Sequence, residues 1–264
     1  MSAIDSNLGR AKIGSTKQGQ SDLATERKQR GLSYALRLSY VVLRKHSDWA
    51  KPYLHFDLNA GNGYNDKAGC VGSPLTFMRI FGGMPHFRAT FIDCDESQIN
   101  VLRSREIMKD ERCKMIVGDN AEFLNSLQIR GDWQFGTILS DPNGSDVPID
   151  GLIYAGHKYK QIDQIFHWNS TITKRLRYGI KPTQIVLSDI PRLIPKTSWL
   201  IREPVSKHQF AMLIGRNYRG NDWPSGGFYH LDSPRGEMIM DRCSRSTKER
   251  EAEVHPLLKF TAKS

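Results

Sequence analysis

Four short apolar runs, each leading into an aspartate, constrain this chain more than anything else in it. They are Tyr53-Leu-His-Phe-Asp57, Ala89-Thr-Phe-Ile-Asp93, Lys114-Met-Ile-Val-Gly-Asp119 and Phe135-Gly-Thr-Ile-Leu-Ser-Asp141. Runs of this length with little alternation fit strands buried on both faces. The spacing predicts strands at about 53–58, 88–93, 114–117 and 135–139. Helical patterns lie between them, at 96–109 and 121–127, and a further helix opens near Ser73. There Gly72-Ser-Pro74 offers a serine cap and a proline suited to the first turn. Strand and helix alternating in this way predict an α/β fold, a mostly parallel sheet covered on both faces.

The flanks extend the pattern. Residues 26–48 place Leu32, Leu36, Leu38, Tyr40, Val41 and Leu43 on one helical face, with Arg27, Lys28, Arg30, Arg37, Arg44 and Lys45 around the rest. Downstream, 159–178 reads as a helix and 183–187 as a fifth strand. Residues 198–202 and 209–215 read as an antiparallel hairpin at the sheet edge. The stretch after it, 216–231, reads as an aromatic, basic loop, and the charged tail as a short helix before Pro256. The expected organisation is a basic N-terminal extension and helix over 1–49, a domain over 50–231 and a charged tail over 232–264.

In such sheets ligands bind beyond the carboxyl ends of the strands, beside the first βα turn. That turn is Leu58-Asn-Ala-Gly-Asn-Gly63, and its glycines let the backbone approach a ligand. Asp57, Ala60, Gly61 and Gly63 are therefore candidate cofactor contacts. Asp93 stands where a carboxylate accepts bonds from two ribose hydroxyls, and Asp119 with Asn120 where an adenine amino group would be met. Each aspartate alone could be a turn or cap residue; together they form a register.

Net charge divides unevenly. Residues 1–52 hold ten Lys and Arg against four Asp and Glu, and residues 151–231 hold twelve against four. The intervening 53–150 holds nine against fourteen. Basic flanks around an acidic cofactor segment predict a polyanionic substrate, that is, nucleic acid. The four cysteines lack pairing or metal-ligand spacing, and the histidines form no ligand cluster, so no metal is expected. No run reaches the roughly 18 apolar residues of a membrane span, so no membrane association and a cytoplasmic location are expected.

The four units, in this order and spacing, resemble the cofactor half of class I S-adenosylmethionine-dependent methyltransferases. The resemblance implies a Rossmann-like fold and S-adenosyl-L-methionine as cofactor. The fourth unit, Asp141-Pro-Asn-Gly144, is similar to the Asp/Asn-Pro-Pro-aromatic tetrapeptide of amino-directed members. There a carboxylate and a carbonyl accept the two N–H bonds of an exocyclic amine and aim its lone pair at the methyl group. This implies catalytic roles for Asp141, Pro142 and Asn143, and adenine N6 in DNA or RNA as the acceptor. Gly144 supplies no ring to stack on the base; Tyr64, Tyr154 and Trp223 are the candidates.

A narrower resemblance joins Asp57-Leu-Asn-Ala-Gly-Asn-Gly-Tyr64 and Gly72-Ser-Pro-Leu75 to three-Cys-motif partner proteins. These are methyltransferase-like and often found on mobile elements. Their equivalent segment reads approximately Asp-Leu-Phe-Ala-Gly-Pro-Gly and then Gly-Ser-Pro. Asn62 stands where they carry proline, and Asn143 where they carry an aromatic. Two other expectations compete with a nucleic-acid N-methyltransferase. One is a methyltransferase-fold nucleic-acid binder without catalysis; the other is a small-molecule methyltransferase, which would not need the basic flanks.

Overall fold

The computed structural model describes residues 22–46, 51–66, 68–129, 134–142, 147–169, 186–204 and 210–245. From the amino end come α1 (Asp22–His46), β1 (Tyr53–Asp57), β2 (Tyr64–Asn65), β3 (Cys70–Val71) and α2 (Ser73–Phe81). Then follow β4 (Phe87–Asp93), α3 (Glu96–Ser104), β5 (Cys113–Val117), α4 (Asn120–Ser126), β6 (Gly136–Ser140) and α5 (Ile149–Lys158). The last elements are β7 (Ile162–Asn169), α6 (Ile190–Leu193), β8 (Ser198–Arg202), β9 (Phe210–Arg216), β10 (Phe228–His230) and α7 (Pro234–Ser244).

The main sheet runs β5-β4-β1-β6-β7-β9-β8-β10, and β2 and β3 form a separate two-stranded ribbon. Five strands, β5 to β7 in that order, are mutually parallel. β9 enters antiparallel between β7 and β8. The expected hairpin of β8 and β9 is present, but β10 pairs antiparallel with β8 and takes the edge. The segment expected to be a basic loop thus contributes a strand, with Phe228 fully buried.

β7 departs from the sequence expectation. Residues 162–169 form the fifth parallel strand, not part of a helix, and Leu187 opens a 3₁₀ turn where a strand was expected to end. The reason lies in burial. Ile162, Ile165, Phe166 and Trp168 are buried in mid-sheet, but so are Asp163, Gln164 and His167, so polar residues interrupt the apolar run and the strand signal is lost. What remains mimics the i, i+3, i+4 spacing of a helix. Residues 170–185 lie outside the described residues. The helix start at Ser73 holds, but Gly72 takes the cap position, without a side-chain bond. α7 begins at Pro234, where no helix was expected, with Ser233 accepting Gly236 N–H as its cap; the short helix expected before Pro256 lies outside the described residues.

Successive strand residues face opposite layers. One layer packs α1 and α2 against Phe91, Leu139, Ile165 and Leu200. The other packs α4, α5 and α7 against Ile92, Ile138, Phe166 and Ile201. α1 is fixed within the first layer, although its segment was expected to precede the domain. Leu32 and Leu36 are fully buried, Tyr34 stacks on Phe228, and its hydroxyl lies 2.6 Å from Ser225 Oγ. Arg202 Nη1 donates to Arg27 O at 2.9 Å, and Arg202 Nε donates to Gly226 O at 3.0 Å. The amino-terminal half of α1 is thereby tied down beside the carboxyl ends of the strands.

Candidate active site

The first βα turn knits three strand ends together. Leu58 N donates to Leu139 O, and Ala60 N to Ile92 O, both at 2.9 Å. Gly61 N donates to Asp93 Oδ2 at 2.9 Å. Gly61 and Gly63 have φ of +59° and +76°, which L side chains rarely adopt. Their surroundings differ. A Cβ on Gly63 would meet Leu102 Cδ1 at 2.8 Å, whereas one on Gly61 would meet nothing within 4 Å. Gly63 is closed in by protein; Gly61 borders open space.

Asp57 lies beneath this turn, fully buried. Its Oδ1 accepts Asn59 N–H at 3.2 Å, while Oδ2 is buried with no hydrogen-bond partner. Burial pushes its carboxyl up to about 7; Ser73 and Asn59 oppose the shift, and Asp141 and Asp93 add to it. Asp93, at the end of β4, accepts from Gly61 N and Asp95 N, one per oxygen. A carboxylate offers about four acceptor positions, so both oxygens keep capacity. Asp119 is the N-cap of α4, its Oδ1 accepting from Ala121 N at 2.8 Å and Glu122 N at 3.0 Å. Asn120 is the first residue of that helix. Gly118 N donates to Asp93 O, joining the third acid's turn to the second's.

At the end of β6, Asp141 N donates to Asn59 Oδ1 at 3.0 Å, which fixes its backbone to the glycine turn. All the predicted cofactor residues and Asp141 with Pro142 therefore lie along one edge of the sheet. Asn143 lies outside the described residues.

This edge is the decisive feature, and the fold that carries it has counterparts among known proteins. No family model matches the sequence, and no curated protein does either. Solved structures do. Protein LPL1258 from Legionella pneumophila aligns over 75% of this chain and 86% of its own, with a TM-score of 0.54 at 14% identity. A probable spermidine synthase from Corynebacterium glutamicum aligns over 82% of this chain and 70% of its own, with a TM-score of 0.51 at 13% identity. The fold is the Rossmann-like class I methyltransferase fold.

Two residues beside Asp141 escape sequence reasoning. Lys28 Nζ reaches from α1 to within 2.5 Å of Asp141 Oδ1, and His167 Nδ1 on β7 lies 3.3 Å from Asp141 Oδ2. The register explains the second contact. Ser140 pairs with Phe166, so Asp141 and His167 are the next pair and share the face that looks toward α1. His167 in turn pairs with Met212, and Met212 with Arg202, so one row of side chains crosses three strands. Burial alone would raise the Asp141 carboxyl, but Lys28 and His167 outweigh it and hold it well below the usual carboxylate range. Burial lowers His167, helped by Lys28 and Arg202 and opposed by Asp141. The imidazole is neutral beside an ionised carboxylate.

Three aromatic candidates for stacking are placed differently. Trp223 packs edge-on against Phe228 and lies 4.7 Å from the Arg216 guanidinium. Tyr154 is exposed on α5 and accepts from Lys158. Tyr64 follows the glycine turn directly, with Arg105 5.8 Å from its ring. Arg216, expected on a basic surface loop, is 1% exposed, paired with Asp163 and flanked by Tyr218 and Trp223. It is a structural cation and no surface contact. The sequence signal that could have found His167 is a histidine set between Phe166 and Trp168, which acquires meaning only once the segment is known to be a strand.

Proposed function

We propose that the protein is an S-adenosylmethionine-dependent methyltransferase acting on an exocyclic amino group, adenine N6 foremost, in DNA or RNA. The observation that carries the reading is Asp141. It is a buried, ionised carboxylate at the fourth strand end, tied through Asn59 to the same turn that presents Gly61 to open space.

The residues fit the cofactor. The open side of Gly61 admits a ligand against the backbone, and the unpartnered Oδ2 of Asp57 is what an ammonium group would satisfy. Asp93 retains acceptor capacity for ribose hydroxyls, and Asp119 with Asn120 stands one strand further on. When bound, the cofactor supplies an electrophilic methyl group. Asp141 accepts an N–H of the acceptor amine and fixes its orientation; positioning and electrostatics supply the acceleration. Nucleic acid as substrate is supported by the basic flanks and by α1, which exposes Arg30, Arg37 and Arg44 at seven-residue intervals. The resemblance of 57–75 to three-Cys-motif partner proteins supports a member of that kind and a role in DNA modification.

A second reading is a nucleic-acid binder without turnover, favoured by the Lys28 ammonium already standing on Asp141. Incubation with radiolabelled S-adenosylmethionine and unmodified DNA or RNA, followed by digestion to nucleosides, separates the two. Label in N6-methyladenosine or its deoxy form is the expected result. Calorimetric cofactor binding with no label in either polymer would replace the enzyme reading with the binder. Asp141→Ala should bind cofactor and transfer no methyl.

A further inference from the structure

The geometry points to His167 as the proton acceptor of the Asp141 site, with Lys28 as the positioning cation that keeps the carboxylate anionic. This rests on the amine-methylation reading above. A neutral amine that gains a methyl group forms an N–C bond with its lone pair and becomes cationic. The electron pair of the broken bond stays on sulfur. The nitrogen must then lose one proton, and some group at the site must take it.

Asp141 is poorly suited to take it. Its Oδ1 is held by Lys28 at 2.5 Å, and its backbone is bound to Asn59. A carboxylate stabilised this far as an anion is a weak base. His167 is well suited. It is 4% exposed; Nδ1 faces Asp141 Oδ2 at 3.3 Å, and Nε2 is buried with no hydrogen-bond partner. An unsatisfied nitrogen on a buried ring is costly, and a partner arriving with substrate at Nε2 would resolve the cost. The charged groups facing the ring are Asp141 from the end of β6, Lys28 from α1 and Arg202 from β8. Met212, its neighbour on β9, is uncharged. The two cations keep the free ring neutral, so its lone pair is available. Asp141, 3.3 Å away, stabilises the imidazolium once the proton arrives.

Lys28 does not read as a removable plug. Its helix is fastened on either side of it, through Arg27 O to Arg202 and through Gln29 to Thr76 Oγ1. A fixed cation beside the acid is a positioning element.

The test combines two readouts. In the first, methyl transfer is measured from pH 5 to 9 for the wild type, His167→Asn and Lys28→Met, with cofactor affinity determined for each. The wild-type rate should rise with pH through the histidine titration and then level. His167→Asn should bind cofactor normally, lose at least tenfold in rate at pH 7, lose the acidic limb and regain rate with added imidazole. Lys28→Met should be slower and should move that limb to higher pH, because a cation has left the ring. An unchanged limb in His167→Asn, or a faster Lys28→Met, would overturn the inference. In the second, histidine NMR follows the His167 ring by pH in the wild type, Asp141→Asn and Lys28→Met. Asp141→Asn should shift its titration down and Lys28→Met should shift it up. No shift in either would overturn the coupling even if no substrate is ever methylated. That last failure, with both NMR shifts present, would count against the methyltransferase reading and not against the dyad.

Discussion

Lys28, on the N-terminal helix α1, and Asp141, at the end of β6, form an ion pair of 2.5 Å, with side chains 17% and 11% exposed. Little solvent reaches either charge. Removing one partner from such a pair strands the other, at a cost of roughly 2–3 kcal/mol, below the range for fully buried pairs. Lys28→Met should lose about that much in urea unfolding at pH 7.5. Lys28→Met with Asp141→Asn should recover part of it, because no charge is left unpaired. Additive losses in the double variant would show that the two side chains do not interact in solution.

The two glycines of the first turn should separate folding from binding. Gly63→Ala forces a Cβ into Leu102 at a φ of +76°, and should cost about 2–3 kcal/mol of stability. Gly61→Ala meets no protein atom, so only the left-handed backbone penalty of roughly 1 kcal/mol applies. It should nevertheless weaken S-adenosylmethionine binding at least tenfold by calorimetry. Full affinity in Gly61→Ala would mean that the ligand does not pass that residue.

His55 and Asp57, two residues apart on one face of β1, should pull stability in opposite directions with pH. His55 is buried, stacked on Phe77 with ring centres 4.1 Å apart, and pushed down to about 3 by burial. Between roughly pH 3 and 6.5 the unfolded chain binds the extra proton, so this group makes stability rise with pH. Asp57 is pushed up to about 7. Between its unfolded value near 4 and about 7 the native state binds the extra proton, so this group makes stability fall with pH. Asp57→Asn should therefore expose the His55 slope. Its stability should rise relative to the wild type from pH 4 to 7, by at most about 1.4 kcal/mol per unit. Parallel curves of melting temperature against pH would rule this out.

Arg202 fastens α1 through Arg27 O and the turn before β10 through Gly226 O. Arg202→Gln should leave the sheet intact and loosen the amino-terminal half of α1. Hydrogen exchange should then show lost protection over residues 27–36, severalfold or more, with β1 and β6 unchanged. Loss across the whole sheet would instead make Arg202 part of the global core.

Much of the fold is legible in the sequence because it is local. A strand, an acid and a turn sit within ten residues of one another, and the side chains of cap residues such as Asp95 and Asp119 bond to the helix they open. So β1, β4, β5 and β6 fall within a residue or so of their expected places. β7 does not, because Asp163, Gln164 and His167 interrupt the apolar run that marks the other strands.

The amino-acid sequence by itself determined the parallel α/β layout, the glycine turn and the row of aspartates at the strand ends, since short-range patterning dictates each of them. The tertiary structure decided which groups surround Asp141. Lys28 lies on a helix that docks across the sheet, and His167 on the strand that pairs beside it. No periodicity links such residues. Only the register of β6 against β7 and the anchoring of α1 bring the three groups into one buried place, where low dielectric makes their interaction strong.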